Sequence, residues 1–242
     1  MIKVLFISAS SRKDANTDYM MDHAAEGAVE AAVDVEIEKY YLRGKKISGC
    51  LNCAKCGELG GECVIQDDFQ LLRDKWVEAD VVIYAVPVYH MSYPGQLSCF
   101  FDRLGNTQFV YHNMSSPKTM KIFGGIAQGL HIFSGQEHAL TDLMNHAYIS
   151  GGIYVTGDLW ENYIGAAGWT NNEIEKDAIK KYYEEGEIGA VTAVKAARTL
   201  GKRCVEAAAI MEIGAQERID IFESQPIYAP FAERLKSKKT AE

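Results

Sequence analysis

The chain has 242 residues, a formal net charge of −8 and 48% hydrophobic residues. That length suits one large domain or a domain with an appendage. The apolar content excludes global disorder, and the acidic balance argues against nucleic-acid and anionic-membrane partners. No apolar run approaches a membrane span, and the N-terminal run is too short for a signal peptide, so the sequence reads as cytoplasmic.

The opening run Ile2-Lys3-Val4-Leu5-Phe6-Ile7 is short, β-branched and bounded by small polar residues, as a buried parallel strand is. It breaks into residues 8–17, rich in hydroxyls and amides with one arginine. A helix is predicted over about 17–32. A strand, a polar loop and a helix N-terminus together suit a phosphate, because the orphan N–H groups of the first turn point at the anion. Neither G-x-x-x-x-G-K-[ST] nor G-x-G-x-x-G occurs, which disfavours a P-loop triphosphatase and a dinucleotide fold. A hydroxyl-rich loop suits a phosphate monoester such as that of FMN. Ser8, Ser10, Arg12, Asn16 and Thr17 are the candidate contacts. The structural alternative is that Asn16 or Thr17 caps the helix.

Residues 33–39 alternate apolar and acidic side chains, as a second strand near the sheet edge does. An irregular segment follows, and Asp67-Asp68 opens the next helix with carboxylates at its positive end. Residues 80–86 show no alternation and read as a central strand, with the loop 87–95 at its carboxyl end. The helix after that loop carries Leu97, Phe100, Phe101 and Leu104 as anchors. A fourth strand is predicted at 120–126, a helix at about 135–148 and a fifth strand at 152–156. These units sum to an α/β fold, a doubly wound parallel sheet of five strands with helices on both faces. Loops 8–17, 87–95 and 127–135 all emerge at the carboxyl ends of strands, where such sheets bind ligands. Residues 157–171 read as a long loop with Trp160, Tyr163 and Trp169, followed by helix to about residue 211. The remainder reads as an arm packed on the body or on a neighbouring subunit, with a frayed tip at Lys236-Ser237-Lys238-Lys239.

Cys50, Cys53, Cys56 and Cys63 have the spacing C-x2-C-x2-C-x6-C. Three cysteines at three-residue steps wrap one compact inorganic core, and a fourth closes it. Four thiolates suit an Fe–S cluster or structural zinc, and the compact wrap favours [4Fe–4S]. Free thiols or a redox-active pair are the alternatives. Cys99 and Cys204 read as small buried hydrophobes, and Arg103 as a helix-end charge.

These residues resemble the flavodoxin-like NADPH-dependent FMN reductases, and more closely their iron–sulfur flavoprotein branch. The resemblance covers roughly residues 1–210. Residues 8–17 are similar to the family's FMN phosphate loop, although Ser8-Ala9-Ser10 stands where glycine-serine-proline is common. The four cysteines followed by Asp67-Asp68 resemble the branch's cluster motif. Pro87-Val88-Tyr89-His90 resembles the loop against the isoalloxazine, and Gly95-Gln96-Leu97 through Phe101-Asp102-Arg103 the helix behind it.

The resemblance implies strand order 2-1-3-4-5 and an FMN-binding domain over 1–210 with a cysteine-rich insert at 47–66. The arm then spans 211–242, and the assembly is a homodimer or homotetramer. Pro87, Val88, Tyr89 and His90 would shape the flavin wall, and Gln128 and Gly129 its pyrimidine end. His90, Trp160 and Trp169 are candidates to line an acceptor slot. No protein acid or base is required, because the flavin carries the chemistry. The implied activity is an FMN-dependent oxidoreductase passing electrons from NAD(P)H or a reduced carrier, through FMN and a [4Fe–4S] cluster, to a carrier protein or small acceptor. Two rivals remain: an NAD(P)H-dependent quinone, azo or enone-type reductase without a working cluster, and a non-enzymatic flavodoxin-like electron carrier or redox sensor.

Overall fold

The computed structural model describes residues 1–160 and 162–239. Strands β1 (Ile2–Ser8), β3 (Val81–Pro87) and β4 (Ile122–Gly129) are apolar without polar alternation and almost wholly buried, as strands covered on both faces must be. Strand β2 (Val35–Tyr41) instead alternates half-buried Val35 and Ile37 with exposed Glu36 and Glu38, as an edge strand does. All pairings are parallel, and with β5 (Ile153–Tyr154) the order is β2-β1-β3-β4-β5, as expected.

Helix α1 (Asn16–Val29) and the long α6 (Ile188–Glu217) cover one face, with the short α5 (Ala178–Glu184) beside them. Helices α2 (Phe69–Glu78), α3 (Gly95–Tyr111) and α4 (Gln136–Ile149) cover the other. Along β1, Val4 and Phe6 join the α1/α6 core, and Leu5 and Ile7 the α2/α3/α4 core, through the two-residue period of a strand. Helices α1 and α6 cross at reciprocal glycines. A Cβ on Gly27 would fall 1.8 Å from Arg198 O, and one on Gly201 would fall 1.8 Å from Ala24 O.

Four expectations need correction. The fifth strand is split: β5 pairs with Ile122 and Phe123, while a further strand, β6 (Ala166–Trp169), pairs with the carboxyl half of β4. The predicted loop at 157–171 therefore contains a strand. Between the two pieces the chain crosses α6, with Leu159 packed in that core and Asn162 Nδ2 donating to Ala196 O at 2.7 Å. Strand β4 also runs on to Gly129, so Gln128 and Gly129 are strand residues. The helical stretch predicted to about residue 211 is two helices, broken at Gly186, whose φ of 77° ends α5, and the second runs on to Glu217.

The arm is the fourth. It forms α7 (Ile219–Glu223), a 3-10 turn at Pro226–Tyr228 and α8 (Ala229–Lys239). Phe231 and Leu235 pack with Ala215, Met120, Phe222 and Tyr228. Arg234 Nε donates to Asp80 Oδ1 at 3.1 Å and Nη2 to Thr119 O at 3.0 Å, while Lys238 Nζ lies 2.6 Å from Asp80 Oδ2. Asp80 sits directly before β3, so these bonds seat the arm at the amino-terminal end of the sheet, opposite the ligand rim. The expected frayed tip is therefore helical through Lys239, because buried ion pairs hold it; residues 240–242 of the predicted arm lie outside the described residues. Among the described residues, no helix is long and apolar enough to cross a membrane.

One polar chain runs through the α2/α3/α4 core. Trp76 Nε1 donates to Tyr84 Oη at 2.8 Å, and Tyr84 Oη lies 3.0 Å from His146 Nε2, whose ring stacks on Phe101 with centroids 3.6 Å apart. Indole N–H can only donate, which leaves the Tyr84 hydroxyl hydrogen free for His146 Nε2, a bond that a neutral histidine ring accepts. Burial pushes His146 down to about 3. Unfolded, it titrates near 6.5, so between these values the unfolded chain binds the extra proton. Its contribution is therefore complete above pH 6.5 and falls as pH drops, by about 1.4 kcal/mol per pH unit. Urea unfolding at pH 7.5 and pH 5 should show wild-type protein losing about 2 kcal/mol more than His146→Phe does. Equal losses would contradict the buried neutral ring.

Candidate flavin rim and cysteine hollow

The turn between β1 and α1 is organised by Asp18, which is buried in the first turn of the helix. Its Oδ1 accepts from Ser8 Oγ at 2.6 Å, and its Oδ2 accepts from Asp14 N at 3.0 Å and Arg43 Nη1 at 2.7 Å. Ser10 is buried and closes a small ring with Arg12, its Oγ donating to Arg12 O at 2.9 Å and accepting from Arg12 N at 3.2 Å. The helix then opens on Ala15 in extended conformation, with no side-chain cap. Neither Asn16 nor Thr17 is the cap residue; both are helical and buried, at the positive end of α1.

Asn16 is a clamp. Its Nδ2 donates to Glu175 O, and its Oδ1 accepts from Ile179 N, each at 2.9 Å. Arg12 Nη1 reaches the same segment, donating to Ile174 O at 2.6 Å. Thr17 Oγ1 stands 3.5 Å from Gln128 Oε1.

The loop after β3 meets this turn. Val88 N donates to Gln128 O at 2.8 Å, and Tyr89 and Ser92 exchange two backbone hydrogen bonds around His90 and Met91, whose φ values are 48° and 67°. Two left-handed central residues make a type I′ hairpin, an arrangement that non-glycine residues adopt at a cost. Tyr89 Oη lies 3.0 Å from Ser11 Oγ, so the two loops touch across the rim. Tyr89 and His90 are exposed, whereas Pro87 and Val88 are half-buried. Gly129 leaves room for Ser134 Oγ, which would stand 2.0 Å from a Cβ there. Leu130 O accepts from Thr170 N at 3.2 Å and Asn172 N at 2.7 Å, tying in the segment after β6. The three predicted loops thus come together, joined by a fourth, residues 170–175.

Trp160 does not join the rim loops, whereas Trp169 meets the fourth of them, its Nε1 donating to Asn171 Oδ1 at 3.1 Å. Trp160 is 86% exposed on the excursion over α6. Trp169 ends β6, but its ring turns to the start of α6, where Cζ2 lies 2.7 Å from a Cβ built on Gly189. Sequence reasoning missed Asp18, Arg43 and residues 170–175. Asp18 reads as one more first-turn acidic residue, and its partners at Ser8 and Arg43 are set by the fold.

The cysteine segment is a loop closed at its base. Lys46 N donates to Asp68 Oδ2 at 2.8 Å, Asp68 N to Lys46 O at 3.0 Å, and Ser48 N to Asp67 Oδ2 at 2.9 Å. Arg103, expected as a helix-end charge, is wholly buried beneath it, because its partners come from residues 48–67. Its Nη1 donates to Asp67 Oδ1 and Oδ2 at 2.7 and 2.8 Å, and its Nη2 to Ile65 O at 2.7 Å. Burial opposes the Asp67 charge, but the Ser48 N–H and Arg103 outweigh it and hold the carboxyl below its ordinary range.

Asn52 and Ala54 are left-handed, with φ of 50° and 56°, and a 3-10 turn at Lys55–Gly57 follows. This winding brings Cys50, Cys53, Cys56 and Cys63 to one hollow, with Arg103, Asn106 and Val110 of α3 as its other wall. Asn52 N donates to Cys50 Sγ at 3.4 Å, and buried Cys56 donates to Asn106 O at 3.6 Å. Burial pushes the Cys56 thiol up. Among the described residues, no three His, Cys, Asp or Glu side chains are positioned to hold a metal ion. The donor set has the chemistry for a cluster, in a hollow not closed into a ligand cage.

Residues 2–161 match the NADPH-dependent FMN reductase family. An iron–sulfur flavoprotein of Methanosarcina thermophila is 30% identical over 181 residues, covering 74% of this chain and 87% of that protein. Another, of Methanocaldococcus jannaschii, is 28% identical over 207 residues, covering 85% of this chain and 96% of that one. Among solved structures, an azoreductase from Bacillus anthracis str. Sterne matches with a TM-score of 0.59 at 13% identity, covering 84% of this chain and 99% of that chain, a likeness of fold. The chain thus belongs to the NADPH-dependent FMN reductase family, in its iron–sulfur flavoprotein branch, and is an FMN-dependent oxidoreductase of flavodoxin-like fold.

Proposed function

We propose that the protein takes electrons from NAD(P)H or a reduced carrier and delivers them to a carrier protein or small acceptor, with a [4Fe–4S] cluster held by Cys50, Cys53, Cys56 and Cys63. The observation that carries this reading is the single hollow shared by four thiols on a loop clasped by α3. When bound, FMN supplies a centre that handles hydrides and single electrons, and the cluster supplies a one-electron station.

The protein's part is position and exclusion of water. Ser10, Thr17 and the uncapped first turn of α1 bind the FMN phosphate, and Arg12 adds charge. Ser8 and Asn16 hold the loop in shape through Asp18 and the 175–179 segment. Pro87, Val88, Tyr89 and His90 form the wall for the ring, with Gln128 and Gly129 at its far end. Assembly as a homodimer or homotetramer belongs to the same proposal, supported by exposed Leu130, Ile132 and Phe133 beside the rim.

A second reading, a quinone-, azo- or enone-type reductase whose thiols carry no electrons, is favoured by the absence, among the described residues, of three metal-holding side chains in position. Protein purified without air separates the two. The first reading expects FMN with about four irons and matching acid-labile sulfide per chain, and absorbance in the blue that dithionite bleaches. FMN without iron would establish the second.

A further inference from the structure

Arg103 does more than clasp the cysteine loop. Its guanidinium is fully buried and lines the hollow that the four thiols line. Nη1 and Nη2 are satisfied by Asp67 and by Ile65 O, and one face of the group lies over the Phe69 ring, 4.1 Å from its centroid. Nε is different. Among the described residues three buried side-chain polar atoms have no partner, Tyr40 Oη, Arg103 Nε and Asn162 Oδ1, and only Arg103 belongs to the cysteine hollow. A buried N–H left unmade is costly, and in a folded protein it calls for a partner or a role.

We propose that Arg103 is a positioning residue that raises the reduction potential of the cluster, with Nε–H donating to a sulfur of the bound group. This rests on the cluster reading above. Adding one electron to the hollow adds one negative charge there. A donated N–H and a fixed, buried cation beside it stabilise that extra charge more than they stabilise the oxidised state. Asp67 anchors the cation through Nη1, on the side of the guanidinium that leaves Nε uncommitted.

The test reads potential and spin rather than turnover. Mediated titration of the cluster in wild-type, Arg103→Lys and Arg73→Lys proteins is followed by EPR. Arg103→Lys keeps the charge and loses Nε–H. It should cut the reduced-to-oxidised ratio at fixed poise at least tenfold, about 59 mV for a one-electron couple, while Arg73→Lys, whose side chain pairs with Glu62 and Asp74 outside the hollow, should leave it unchanged. Pulsed EPR on reduced wild-type protein labelled with 15N-arginine should show a nitrogen coupled to the cluster spin. That spectrum decides the matter should Arg103→Lys fail to keep its iron. An unchanged potential in an iron-loaded Arg103→Lys protein, or no arginine 15N coupling in wild type, overturns the proposal and leaves the cluster reading intact. Wild-type protein without iron overturns the cluster reading itself, and this inference with it.

Discussion

Cys53→Ser protein, prepared without air, is expected to lose its iron and sulfide by at least roughly tenfold while keeping FMN at the wild-type level. Cys53 is the most open of the four thiols, so the change leaves no cavity, and a serine hydroxyl is a far poorer soft-metal ligand than a thiolate. The rim proposed to serve FMN is built from other segments: the β1–α1 turn, the loop after β3, the end of β4 and residues 170–175. Cys204→Ser is the control. That thiol is wholly buried between α6 and the sheet, remote from the hollow, and burial pushes its pKa well up. Its replacement should cost stability and leave iron per chain unchanged. Iron retained in Cys53→Ser, or flavin lost along with iron, would contradict the separation of the two sites.

Gly201→Ala should destabilise the fold by about 3 kcal/mol, the upper end for overpacking. The added methyl carbon meets the Ala24 carbonyl at 1.8 Å, and the obstacle is helix backbone, which no rotamer change can move aside. Gly27 repeats the constraint from α1, against Arg198 O. Relief requires α1 and α6 to separate, which loosens the packing of Met20, Ala24 and Leu200 over β1 and β3. Because α1 presents its N-terminus at the rim, the same shift should weaken FMN binding. Gly214→Ala, in the same helix with open space around it, should be neutral or stabilising by up to about 1 kcal/mol. Urea unfolding of the two variants checks the pair; similar midpoints would show that the crossing tolerates a side chain.

The sheet was legible wherever burial wrote itself as an unbroken apolar run, as in residues 81–86, and where polarity alternated, as in 35–38. It was illegible at β6. Ala166-Ala167-Gly168-Trp169 lacks the β-branched residues that signal a strand, and it becomes one because the edge of β4 offers it partners. The same limit governs the site. Spacing announced the cysteine hollow, and a strand breaking into hydroxyls announced the rim. The roles of Asn16 and Arg103 depend on groups far along the chain, at residues 175–179 and 48–67. A local reading sees an amide and a helix-end charge there, and cannot see a clamp and a buried guanidinium. Trp160 lies apart from the rim for a related reason: an aromatic in a long loop attracts a ligand role, whereas the split of the edge strand carries this loop across α6.

The proposed function depends above all on the turn between β1 and α1 holding the flavin phosphate. A crystal structure of the protein loaded with FMN tests it most directly. The phosphate should lie within hydrogen-bonding distance of the first-turn N–H groups of α1 and of Ser10 and Thr17, with the ring against residues 87–90. A phosphate bound elsewhere on the chain, with that turn left to solvent, would contradict the account.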